Sequence, residues 1–180
     1  MKLAILGGMA ALAAIPTMAG AEPVERVGPK PGEIILQGVK IPAGAETFLL
    51  SGLVALPIDP ARAKAVEDYG DTQVQTISIL NRIKALLEAE GYSLRDLVKL
   101  TVFVVGDPKL GGKMDFAGMN AGFRQFFGTT ENPATVARST VQITALAAPQ
   151  YLVEIEAMAA RAPAPDKVRS RNDRKETSHQ

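Results

Sequence analysis

Two short apolar runs, 34–39 and 48–54, flank a turn segment containing Pro42 and Gly44, and this pattern predicts a β-hairpin. A connection follows over 55–70, where Pro57 and Pro60 oppose a regular element at its start. The period then changes. Val74, Ile77, Leu80, Ile83 and Leu87 recur at helical spacing up to Glu90, Asp71 or Thr72 can cap the first turn, and Gly91 supplies a stop. LVKLTVFVV at 97–105 reads as a strand with apolar residues on both parities, so both of its faces are expected to be buried. A loop over 106–112 leads into a second helix, about 115–127, expected to bury Phe116, Met119, Phe123 and Phe126 or Phe127. Strands at 135–144 and 151–159 close the pattern. The order is ββαβαββ, an α/β arrangement with two helices on one face of a sheet. The other face needs cover, so a homo-oligomer is expected.

The two ends stand apart from this pattern. Residues 1–21, MKLAILGGMAALAAIPTMAGA, have Lys2 ahead of an apolar run and small residues at Ala19 and Ala21, the pattern of a cleavable signal peptide processed before Glu22. A membrane anchor is the competing reading, but Gly7, Gly8, Pro16 and Gly20 interrupt the stretch. The expected location is periplasmic in a Gram-negative host and secreted otherwise. Residues 161–180 carry six basic and three acidic groups with almost no apolar content, which predicts a disordered charged tail. The remaining segment, 22–160, is one domain's worth of chain. It holds 13 basic and 16 acidic side chains, so the mild basicity of the whole resides in the ends.

Composition limits the chemistry. The chain has no cysteine and no tryptophan, and its one histidine, His179, lies in the tail. Any catalysis must use arginine, carboxylate, hydroxyl, amide or backbone groups. Residues 133–160 concentrate them: Arg138 on one strand, Glu154 and Glu156 on the next. A guanidinium can grip a carboxylate through two parallel hydrogen bonds, and a carboxylate can position or deprotonate water. Spacing alone favours a structural ion pair for Arg138 and a wet charged row for the glutamates.

Six strings nonetheless occur together in a telling order: LQGV at 36–39, FLLSG at 48–52, GDTQVQT at 70–76, LVKLTVFV at 97–104, FAGMNAGFRQFF at 116–127, and ARSTVQI followed by LVEIEAMA at 137–143 and 152–159. From Ile34 to Ala160 the chain resembles the RidA family of imine and enamine deaminases, also called the YjgF/YER057c/UK114 family. The resemblance implies a chorismate-mutase-like fold assembled as a homotrimer, with a central barrel of sheets, helices outside and three clefts between subunits. It implies small 2-imino or 2-enamino acids as substrates, which water converts to 2-oxo acids and ammonia. Neither cofactor nor metal is implied.

Site residues carry over by motif. Arg138 matches the arginine that holds the substrate carboxylate, and Glu154, in VEIEA, matches the glutamate that manages water and protons. Glu156 points to the same sheet face and is the rival if the register differs. Asn120 matches a helix asparagine that holds the arginine or the cleft wall. Gly52 matches a glycine that admits substrate to the backbone, although a tight strand end explains it equally well. Thr140 shares the parity of Arg138 and stands where many members have cysteine; Ser139 has the opposite parity. Ile35 stands where many members have a pocket tyrosine, which predicts either a shift towards apolar substrates or weak activity.

Other chemistries find little support. The glycine pair 111–112 lacks a phosphate-loop context, no cysteine–histidine cluster exists, and Asp68 and Asp71 read as capping or solvated residues. The family has been linked to endoribonuclease activity, but the acidic 22–160 segment lacks an RNA-binding footprint. The standing alternative is a non-catalytic exported member that binds a small carboxylate metabolite or protects proteins through its trimeric surface. Glu154 separates the two, because a binding module tolerates its neutral amide.

Overall fold

The computed structural model describes residues 22–30 and 33–162; the expected signal segment and all but two residues of the expected tail lie outside them. The elements are β1 (Glu25–Val27), β2 (Gly38–Lys40), β3 (Glu46–Val54), α1 (Thr72–Ala89), β4 (Leu97–Val105), α2 (Phe116–Phe123), β5 (Ala137–Ile143) and β6 (Val153–Arg161). The main sheet has the order β3-β6-β4-β5, with β4 and β5 parallel and the other pairs antiparallel. This is the mixed α/β sheet with two helices on one face that the pattern predicts.

The expected hairpin is not formed. Segment 48–54 belongs to β3 and pairs with β6, while β2 pairs with β1 in a separate ribbon. Leu36 instead bridges Ala137 at the head of β5, its N–H donating to Val136 O at 2.9 Å. A nine-residue antiparallel partner offers β3 far more ladder than the short 34–39 run could.

Asp71 caps α1 by accepting from Val74 N at 2.9 Å, and Gly91, at φ +72°, lets the chain leave it. The buried stripe contains Ile79, Leu80, Ile83 and Leu87 together with Gln75 and Thr76, whereas Val74 is exposed. The predicted apolar stripe was therefore rotated by about a residue at its start. Helix α2 ends at Phe123, earlier than predicted, because Gly128 turns at φ +70° and Asn132 Nδ2 holds Phe126 O at 2.7 Å. Phe116, expected in the core, is exposed, while Met119, Phe123 and Phe127 are buried.

On β4, Leu100, Val102 and Val104 lie fully buried beneath the helices. Lys99, Thr101, Phe103 and Val105 on the other face are only half-covered. Within one copy, burial of both β4 faces is thus met on one side only. Arg161 ends β6 rather than beginning a tail: its Nη2 lies 3.1 Å from Glu46 Oε2, and its guanidinium packs 4.2 Å from the Tyr92 ring centre.

Candidate active site

Strand register puts Arg138 on the helix side of the sheet, in a row with Leu50, Ala157 and Leu100. There it meets α2. Its Nη2 donates to Asn120 Oδ1 at 2.7 Å, and its guanidinium carbon lies 4.5 Å from the Phe123 ring centre and 5.9 Å from that of Phe116. The helix is held close by Gly122, where a Cβ would stand 2.9 Å from Thr76 Cβ of α1, so only glycine permits this approach. Two other guanidinium nitrogens, Nε and Nη1, are buried without an acceptor. The hydroxyl of Thr140, two residues along the same face, is likewise buried and unpartnered. Burial first, and then the charge of Arg124, lower the Arg138 pKa to about 10. It remains charged at neutral pH, a cation short of counter-charge. Ile35 packs against the core beside Leu36, which the bridge to Ala137 ties to the head of β5.

Glu154 lies on the other side of the sheet, in a row with Val54 and Phe103. Its carboxylate occupies the space above Gly52, where a Cβ would come within 1.9 Å of Oε1. Gly52 sits in the β3 irregularity between Leu50 and Leu53, so a bulge and a missing side chain together make room for the acid. Glu156 shares this face, in register with Thr101, and is more exposed. Strand β4 also lies between β5 and β6, so these two strands, consecutive in sequence, are not neighbours in the sheet. Within one copy, Arg138, Asn120 and Thr140 therefore meet on the helix side of the sheet, and Glu154 and Gly52 on the open side. Among the described residues, no three His, Cys, Asp or Glu side chains gather as metal ligands.

A family model described as Endoribonuclease L-PSP matches residues 43–161. A RutC family protein of Pyrococcus horikoshii is 40% identical over 131 residues, covering 73% of this chain and 90% of its own. The 2-iminobutanoate/2-iminopropanoate deaminase of Escherichia coli is 35% identical over 126 residues, covering 70% and 86%. The chain belongs to the RidA family. Its fold also superposes on E. coli TdcF, solved with bound serine, at a TM-score of 0.51 and 31% identity, covering 76% of this chain and 91% of that one.

Two parts of this RidA-family site escaped sequence reading. The aromatic rings of Phe116 and Phe123 flank Arg138, although both had been expected in the core. Arg124 was not singled out, yet it acts electrostatically on Arg138. The available signal was its position four residues after Asn120, on the same helix face.

Proposed function

We propose that this RidA-family protein hydrolyses small 2-imino or 2-enamino acids to 2-oxo acids and ammonia, in clefts between the copies of a homotrimer. The observation that carries the reading is a partly buried guanidinium with two unpaired nitrogens and, among the described residues, no carboxylate paired with it. A substrate carboxylate is the acceptor that matches this fork. Bound there, it fixes the adjacent imine carbon. Because Glu154 of the same copy lies on the opposite sheet face, the acid that meets the substrate comes from a second copy. That carboxylate takes a proton from water as the water oxygen bonds to the imine carbon, and returns it to nitrogen. The C–N bond of the resulting carbinolamine then breaks as its hydroxyl gives its proton to the carboxylate and becomes the carbonyl, releasing ammonia and the 2-oxo acid. Asn120 keeps Arg138 in place, Gly52 gives Glu154 its position, and Thr140 and Ile35 bound the pocket. The reaction needs no cofactor. The deaminase name of the E. coli relative and the serine held by TdcF support a small amino-acid-like substrate.

Ammonia and 2-oxo-acid release from freshly generated 2-iminopropanoate tests this. Arg138→Ala is expected to lower kcat/KM by roughly 10- to 100-fold, and Glu154→Gln to lower kcat by roughly 100-fold or more. No acceleration over spontaneous hydrolysis by the unaltered protein overturns the reading. Full retention of binding and of any protective effect in Glu154→Gln favours the non-catalytic alternative.

The same proposal extends to location. Lys2, the apolar run and the AGA ending support export to the periplasm or medium. The protein recovered from envelope or medium fractions is expected to begin at Glu22; recovery with an intact leader in the cytoplasm overturns export.

A further inference from the structure

Helix α2 carries more positive charge into this region than the reaction above requires. Phe116, Asn120 and Arg124 are spaced by four residues and line one helix face, with neighbouring Cβ atoms about 5–6 Å apart. The first two already touch Arg138, by ring contact and by hydrogen bond. Arg124 continues the stripe: its backbone is helical and its N–H donates to Asn120 O at 3.0 Å. The second arginine therefore follows on the helix face that meets Arg138, in keeping with its lowering of the Arg138 pKa.

Arg124 is also available. It is exposed, lines an open cavity of about 480 Å³ with Arg26, Glu33 and Leu36, and forms no ion pair among the described residues. Arg26 on the same wall is engaged by the carbonyls of Thr135 and Arg95. Glu33 accepts instead from the Lys30 N–H at 3.2 Å.

The unpaired donors then point to the substrate. In the proposed cleft, an ionised Glu154 from a second copy cancels a protonated imine nitrogen. Two guanidiniums remain for the substrate's carboxylates. One carboxylate occupies Arg138 and leaves Arg124 without an acceptor, whereas a second carboxylate engages it. We propose that Arg138 and Arg124 together select 2-imino acids with a second carboxylate on a short side chain, Arg138 holding the carboxylate next to the imine and Arg124 the distal one. Ile35 taken alone favours an apolar side chain, but a charge-assisted hydrogen bond outweighs contact with one or two methylenes. The inference rests on the deaminase reading and specifies the substrate class of that site.

The test uses the purified protein and imines generated from aspartate, glutamate, alanine and 2-aminobutyrate by amino-acid oxidases. The dicarboxylic imines are expected to show kcat/KM about tenfold above the monocarboxylic ones. Arg124→Gln should lower that ratio about tenfold, mainly through KM, and Arg124→Glu should invert it, while Arg124→Lys restores part of it. A ratio unchanged between the unaltered protein and Arg124→Gln overturns the assignment and leaves the deaminase reading standing. If no imine is accelerated, the deaminase reading fails separately, and calorimetric titration with 2-oxoglutarate and 2-oxobutanoate decides the arginine pair. Tighter binding of the dicarboxylate, lost in Arg124→Gln, supports it; equal affinities overturn it.

Discussion

A single methyl group at position 52 would collide with the carboxylate of Glu154. Sequence reading offered substrate approach or a strand end for Gly52; the structure adds a third reason, room for the acid. Gly52→Ala must push that carboxylate aside by an ångström or more. The expected result is a native circular-dichroism spectrum with kcat reduced by about a hundredfold. Retained kcat would mean that the carboxylate's position does not matter. Thr140 makes a second residue-scale prediction, since its hydroxyl is buried without a partner. Thr140→Val should stabilise the unliganded protein by about 1 kcal/mol in denaturant titration, while raising KM if substrate supplies the missing partner. That Asn120 holds Arg138 was legible in the sequence because both motifs are local strings. The flanking of Arg138 by Phe116 and Phe123 was not, because it needs α2 laid against the edge strand β5.

Between elements, the least legible residue is Gln75. It is polar, sits on an apolar helix face and is fully buried. Its Nε2 donates to Gly70 O at 3.1 Å and Gln150 O at 3.0 Å, and its Oε1 accepts from Leu152 N at 2.9 Å. One side chain thus pins the start of α1 to the chain entering β6, the strand that bears Glu154. Gln75→Leu leaves those backbone groups unpaired, so a loss of roughly 2–3 kcal/mol and a fall of about 5–10 °C in Tm are expected. A Tm unchanged in differential scanning calorimetry would refute that role. The missing hairpin belongs to this scale too. Alternation identified 34–39 and 48–54 as extended, but period two names no neighbour, and the longer ladder with β6 claimed β3.

At the scale of the molecule, the helices cover one sheet face and leave the other open. Leu49 is 69% exposed and Val141 43%, with Phe103 half-covered between them on the same side. An apolar sheet face left to water favours association, and the proposed trimer covers it. Leu49→Asp combined with Val141→Asp should lower the solution mass about threefold in light scattering, to a monomer, and abolish imine hydrolysis with the fold retained. A mass unchanged from that of the unaltered protein would place the interface elsewhere. The uncovered sheet face was readable from β4, where apolar residues of both parities sit in a chain with only two helices to cover them.

The sequence by itself determined both helices and the strands of the main sheet, the start of α1 at Asp71 or Thr72, the stop at Gly91 and the family, because periodicity and motif strings are local properties of the chain. It also determined that Arg138 shares a face with Thr140, and Glu154 with Glu156, since strand parity alternates strictly. Only the tertiary structure decided that those two faces are opposite sides of the sheet, that β4 lies between β5 and β6, and that Phe116 and Phe123 flank Arg138. Such placements come from long-range pairing and helix packing, each the sum of many weak contacts between distant segments that no local pattern records.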